Sequence, residues 1–202
     1  MEGPWSTVDG TLQMVSMLSP VILASFLLLL SLFNQNIKGL VYLGGLLMSL
    51  AAAVPLRNMI QHPVSLKASP LCSLGPLEGV TGYDVPPLSS VAISFTFMYL
   101  FLPMKSSHQM NYGLITGLAA LFATDAFTKV RFECTPPLGP LVGAGFGAAS
   151  ALLWYTAFHA SGYPSLLYFD EVGSNRVFCK KPSKQSFKCQ VYKNGELVAP
   201  GA

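Results

Sequence analysis

The chain has 202 residues, of which 51% are hydrophobic and only 10% are charged, and its net charge at pH 7 is +3. Soluble domains carry about 25% charged residues, so this chain has too few charges to cover a surface that faces water. A surface in contact with lipid needs almost none, because hydrocarbon favours apolar side chains. The composition therefore excludes an ordinary soluble domain and predicts an integral membrane protein.

Five apolar stretches approach or reach the roughly 20 residues that a helix needs to cross a bilayer. The first stretch, at about 12–33, follows an N-terminal region with Glu2 and Asp9 and without Lys or Arg, so it is predicted to be a retained span and not a signal peptide. A short polar turn separates it from the second, which makes these two helices antiparallel neighbours. The other spans are predicted at 40–56, 88–104, 112–127 and 138–158.

The connection between the second and third spans is long. It covers 57–87, is rich in Pro, Ser and Gly, and contains Arg57, Lys67, Glu78 and Asp84, so it is expected to lie in water or at the membrane interface. About thirty residues without clear periodicity are unusual for a plain loop. The connection is predicted either to pack as a cap on the bundle or to contact a partner.

The predicted fold is an all-α membrane protein with about five transmembrane helices in residues 1–158, followed by a basic soluble tail in 159–202. The tail contains alternating segments at 175–181 and 187–192, and Asn194-Gly195 is a strong hairpin signal. A small β-hairpin or meander is therefore expected there, with a flexible tail as the alternative. Six of the twelve basic residues lie in this tail, namely Arg176, Lys180, Lys181, Lys184, Lys188 and Lys193.

The basic tail predicts contact with something acidic, such as lipid headgroups or a protein surface, although a solvated tail also needs charge for solubility. Because basic residues accumulate on the cytoplasmic side, their distribution predicts that the N-terminus is outside and the C-terminus inside.

Small residues recur four positions apart in three of the predicted spans. In lipid, close packing of helices depends on such residues, so they predict either a tight bundle or a homo-oligomer. The residues are Gly45, Ser49 and Ala53 in the second span, Gly113 and Gly117 in the fourth, and Gly139, Gly143 and Gly147 in the fifth.

The four cysteines divide into two pairs. Five spans place Cys72 and Cys134 on one side of the membrane and Cys179 and Cys189 on the other. Disulfides persist in oxidising compartments, and the two sides of a cellular membrane are rarely both oxidising. A Cys72–Cys134 disulfide on the outer side is therefore expected.

The sequence lacks a recognisable catalytic, cofactor-binding or metal-binding motif, and its three histidines lie in separate segments, so no enzyme is expected. Asp125 is the acidic residue inside a predicted span, and an ion pair with Lys129 or Arg131 at the helix end is its expected role. A pore would use Asp125 with the other polar residues of the spans, mainly Ser31, Ser49, Ser89, Ser90, Ser94, Thr96, Thr116, Thr124 and Ser150.

The stretch from Asp84 to Phe95 (DVPPLSSVAISF), which continues into Tyr99–Met104 (YLFLPM), resembles a hydrophobic virion membrane protein of the nucleocytoplasmic large DNA viruses, such as those of iridoviruses. The resemblance covers about 70–158. It implies a protein of the internal lipid membrane beneath an icosahedral capsid, which anchors the capsid or fills the membrane. Because such viruses carry their own thiol oxidation systems, it also permits a second disulfide, between Cys179 and Cys189.

The leading hypothesis is a structural membrane protein whose loops or basic tail contact a capsid lattice. Its expected partners are the lipid bilayer, capsid or other membrane proteins and a second copy of the chain, with no specific nucleic acid and no cofactor. The alternative is a small channel or transporter, in which the polar residues of the spans line a path.

Overall fold

The computed structural model describes residues 7–63, 65, 68, 72, 82–108, 110–163, 166–168, 190–193 and 196–200. This part of the chain forms five α-helices, each long and apolar enough to cross a membrane, which confirms the predicted number of spans. They are α1 (Thr7–Phe33), α2 (Lys38–Ile60), α3 (Leu88–Ser106), α4 (Tyr112–Arg131) and α5 (Gly139–Ala160).

The turn between α1 and α2 is closed by the Ser31 side chain. Its hydroxyl donates to the Asn36 carbonyl at 2.5 Å and accepts the Gly39 backbone N–H at 2.8 Å. A Cβ on Gly39 would lie 2.5 Å from the Ser31 Cβ, so the close approach of the two helices requires glycine at this position. These contacts make α1 and α2 antiparallel neighbours, as the short connection predicted.

α3 is the central helix of the bundle and packs against each of the other four. In its most apolar 18-residue window 72% of the residues are buried, against 17–33% in the other helices. An aromatic cluster lies at its middle, where the Phe95 and Tyr99 rings stack with centroids 5.9 Å apart and Tyr42 of α2 packs against both. The other four helices therefore expose most of their residues at the outside of the bundle, as expected for helices in a bilayer.

The closest helix contact joins α3 and α5 through the small residues of α5. Gly143 and Gly147 are buried, and a Cβ on Gly147 would collide with the Val91 carbonyl oxygen of α3. A Cβ on Gly143 would lie 3.1 Å from the Ser90 Cβ and 3.2 Å from the Pro87 carbonyl oxygen. These two glycines let the backbones of α3 and α5 approach without intervening side chains.

The other small residues divide between the interior and the surface. Gly45, Ser49 and Ala53 of α2 are buried, as is Gly139 of α5, whose nearest side chain is that of Thr135. Gly113 and Gly117 are exposed on α4, and no other helix reaches the position of either Cβ within 4 Å. This face of α4 points outward, so the packing role of these two glycines stays a prediction, for which a homo-oligomer is the alternative to the bundle.

Two short strands follow the bundle in sequence, β1 (Gln190–Lys193) and β2 (Glu196–Pro200). They pair antiparallel, with Lys193 opposite Glu196 and Gln190 opposite Pro200. The predicted strand at 175–181 lies outside the described residues, as do five of the six tail cations. The meander and its role as a separate soluble segment stay predictions.

Replacing Gly147 by Ala tests the contact between α3 and α5. The added methyl group must displace the α3 backbone, so we expect the free energy of unfolding to fall by about 1–3 kcal/mol. Gly145→Ala is the matched control, because Gly145 lies on the same helix and a Cβ there meets no atom within 4 Å. Thermal melts of both variants in detergent provide the measurement, and equal melting temperatures would contradict the close contact.

Candidate functional site

The polar side chains of the bundle concentrate at one end. There the beginnings of α1, α3 and α5 meet the ends of α2 and α4, and the disulfide lies beside them. We call this the capped end.

Cys72 and Cys134 form the predicted disulfide, with Cα atoms 5.5 Å apart and a sequence separation of 62. The bond joins the connection between α2 and α3 to the loop between α4 and α5. Cys179 and Cys189, the other two candidate cysteines, lie outside the described residues.

The described ends of the long connection fold back onto the bundle, in agreement with the predicted cap. Arg57 of α2 is completely buried, and its Nε donates to the Pro86 carbonyl at 2.7 Å. Asp84 is also buried, and its carboxylate lies 2.8 Å from Nδ1 of His62. The Thr135 hydroxyl donates to the Asp84 carbonyl at 3.4 Å, which links this segment to the loop before α5.

Burial raises the pKa of Asp84 above its ordinary value, while the imidazole of His62 and the guanidinium of Arg57 act in the opposite direction. Because burial is the largest of these effects, the folded protein favours the protonated carboxyl more than the unfolded chain does. The interaction with His62 therefore does not fully compensate the desolvation of this carboxylate.

Asp125 of α4 lies in the interior of the capped end, with 1% of its surface exposed. Ser16 of α1 donates to its Oδ1 at 2.6 Å. Ser89 of α3 donates to both carboxylate oxygens at 3.1 and 3.0 Å, and Ser90 donates to Oδ2 at 3.0 Å. The arrangement joins three helices at a single carboxyl group.

The expected ion pair of Asp125 is therefore wrong, because tertiary partners replace the cations that lie next to it in sequence. Arg131 pairs instead with Asp9 of α1, its Nη2 lying 3.4 Å from Oδ1. Lys129 is itself 7% exposed and so lies within the capped end.

Two further polar side chains lie between these contacts. α1 and α4 run antiparallel, and the Asp9–Arg131 and Ser16–Asp125 contacts fix their register. Gln13, which is 4% exposed, and Thr128 fall between these pairs on the two helices. In the part of the chain that the structure describes, neither side chain has a hydrogen-bond partner. Buried polar groups without partners are rare and require an explanation, such as a water or an ion.

The hydroxyl ligands of Asp125 come from residues that are distant in sequence, and the sequence prediction missed Ser16. A signal was present, because Gln13, Ser16 and Ser19 recur every three residues in a mainly apolar helix, and all three are buried. Within the described ranges, no three His, Cys, Asp or Glu residues are grouped so that they could hold a metal ion.

Comparisons of the chain with protein-family models, with curated proteins and with solved structures found no match. The functional interpretation therefore depends on the geometry of the capped end and of the helix contacts.

Removing the disulfide is expected to destabilise the bundle. A disulfide typically contributes about 2–4 kcal/mol to the free energy of unfolding. We expect dithiothreitol to lower the melting temperature of the wild-type protein. A Cys72→Ser/Cys134→Ser double variant should melt at the reduced temperature with or without dithiothreitol, and it retains Cys179 and Cys189 as the control for other thiols. If dithiothreitol lowered the melting temperature of this double variant further, the additional effect would come from Cys179 and Cys189.

The raised pKa of Asp84 predicts a pH dependence. The folded state binds this proton more tightly than the unfolded state, so the contribution of Asp84 to stability is present below about pH 4 and is lost as the pH rises through the folded-state pKa. Asp84→Asn removes this component. We therefore expect the difference in melting temperature between the wild type and Asp84→Asn to fall as the pH increases from about 4. A rise in this difference would contradict a raised pKa of Asp84.

Proposed function

We propose that this chain is a structural integral membrane protein, a five-helix scaffold of a viral internal membrane that contacts the capsid lattice through its loops and basic tail. The supporting observation is the way in which the bundle uses its polar groups. They join one helix to another and so favour a rigid element over a path for solutes.

Two hydroxyl pairs illustrate this use. The Tyr42 hydroxyl lies 2.7 Å from the Thr96 hydroxyl, which links α2 to α3. The Ser49 hydroxyl lies 2.6 Å from that of Ser150, which links α2 to α5. Each such bond contributes on the order of 0.6 kcal/mol in a membrane protein, so several of them stabilise one arrangement of the helices.

The disulfide supports an orientation for the scaffold. A Cys72–Cys134 bond requires an oxidising compartment, so the capped end faces that compartment in our proposal. The opposite end then faces the side on which the basic residues of the tail accumulate, in agreement with the preference of cations for the inner side. The resemblance of 84–104 to virion membrane proteins supports an internal viral membrane as the location.

A small channel or transporter is the alternative function. Asp125 favours it, because ionisable groups inside a bundle often mark an ion path. However, a groove of about 340 Å³ beside α1 and α4 is lined mainly by apolar side chains, such as Met14, Val15, Ile22 and Leu121. Apolar walls suit lipid chains better than a hydrated solute. Cation flux into liposomes that is lost in Asp125→Asn would support the alternative function.

Truncation tests the scaffold proposal. Viral particles containing either the full-length chain or a chain that ends before Arg176 are stripped with mild nonionic detergent and sedimented. We expect both chains to insert into membranes, and the full-length chain alone to remain with the capsid fraction. Retention of the truncated chain would exclude docking by the tail, and absence of the full-length chain from particles would exclude the virion location.

A charge variant separates the basic residues from the rest of the tail. Changing Arg176, Lys180, Lys181, Lys184, Lys188 and Lys193 to Gln should release the chain as truncation does. Lys105→Gln is the matched control, because Lys105 is exposed at the end of α3 on the same side of the membrane. If Lys105→Gln released the chain equally, the effect would come from loss of positive charge anywhere on that side of the membrane and would not be specific to the tail.

A further inference from the structure

We propose that the capped end contains a binding site for a sodium ion, formed by the Asp125 carboxylate and the hydroxyl groups around it. The site is independent of whether the chain is a scaffold or a transporter. Its ligands come from α1, α3 and α4, so an ion bound there would hold three helices together.

The carboxylate and the serine hydroxyls supply the first part of the site. Ser16, Ser89 and Ser90 place oxygen atoms 2.6–3.1 Å from the oxygens of Asp125. Each hydroxyl donates one hydrogen bond and has two lone pairs, so a rotation about its Cβ–Oγ bond presents an acceptor oxygen to a cation. Four side chains would thereby supply negatively polarised oxygen atoms around one buried charge.

Gln13 and Thr128 supply the independent observation. Both are more than nine-tenths buried, and among the described residues the amide oxygen and nitrogen of Gln13 and the hydroxyl of Thr128 have no hydrogen-bond partner. Gln13 lies one turn before Ser16 on the buried face of α1, and Thr128 lies one turn after Asp125 on α4. The antiparallel register of α1 and α4 sets them at the same level, between the Ser16–Asp125 and Asp9–Arg131 contacts. A bound cation would give these oxygens a partner.

The ligand chemistry selects the ion. Carboxylate, hydroxyl and amide oxygens are hard ligands, which bind alkali and alkaline-earth cations and not soft transition metals. Calcium sites use several carboxylates, whereas the described residues contain no group of three His, Cys, Asp or Glu suited to a metal. One carboxylate balances one monovalent charge, which favours an alkali cation over a divalent one.

A basic side chain near Asp125, rather than a bound ion, is the competing explanation for how its carboxylate is balanced. The guanidinium of Arg131 pairs with Asp9 at 3.4 Å and so serves a different carboxylate. Lys129 lies one turn beyond Asp125 on α4 and is 7% exposed, which makes its ammonium the alternative counter-charge. Replacing Lys129 by Met distinguishes the two explanations.

The test measures the melting temperature of the purified full-length protein in nonionic detergent while sodium chloride replaces choline chloride at constant ionic strength. A ligand that binds only the folded state raises its stability with concentration. We expect the melting temperature of the wild type to rise with sodium concentration and that of Asp125→Asn not to respond. Asp84→Asn is the matched control, because it makes the same change in charge at the same end and should retain the response.

Direct binding of ²²Na⁺ keeps the test valid if Asp125→Asn does not fold. Ser90→Ala and Thr128→Val each remove one oxygen and should weaken binding about tenfold, whereas Lys129→Met should retain it. Equal wild-type melting temperatures in sodium and choline would overturn the proposal. Unchanged ²²Na⁺ binding by both oxygen-deletion variants, or a sodium response that arises only in Lys129→Met, would also overturn it.

Discussion

The fold depends on the enclosure of α3 by the other four helices. Helices in hydrocarbon gain little from apolar contact alone, because lipid tails are as apolar as leucine, so association depends on close packing and on hydrogen bonds between helices. Both are present around α3. Gly143 and Gly147 bring the α5 backbone against it, and its hydroxyl groups bond to Tyr42 and Asp125 on two other helices. Without α3, the other four helices would keep contacts such as Ser16–Asp125 and Ser49–Ser150, but they would lose the one helix against which all of them pack.

The two ends of the bundle differ in chemistry. The end at which α1 turns into α2 is held by one serine hydroxyl and by the Tyr168 hydroxyl, which donates to the Leu27 carbonyl at 2.6 Å. The capped end contains a buried arginine, two buried carboxylates and a disulfide. A buried charge is stable only when hydrogen bonds or opposite charges replace its hydration. The cap over this end keeps these groups in place, and our functional proposals concern the same region.

The sequence predicted the spans because hydropathy depends on composition, and composition does not require knowledge of neighbours. The second span was predicted to end too early, because the charge of Arg57 indicated that this residue lies in water. In the structure the connection buries the Arg57 side chain and supplies the Pro86 carbonyl as its hydrogen-bond partner. The tertiary partners of Asp125 could not be predicted from the sequence either. Its neighbours along α4 suggested an ion pair, but its partner Ser16 lies 109 residues away. The glycines of α4 and α5 have similar spacing, and only the orientation of each helix decides which pair is buried.

The disulfide also constrains the order of biogenesis. The chain between Cys72 and Cys134 contains the whole of α3 and the whole of α4. The two sulfur atoms share a compartment when α3 has crossed the bilayer and α4 has returned, whereas an odd number of crossings would leave them in different compartments. Formation of this bond is therefore incompatible with a chain in which just one of these two crossings is missed.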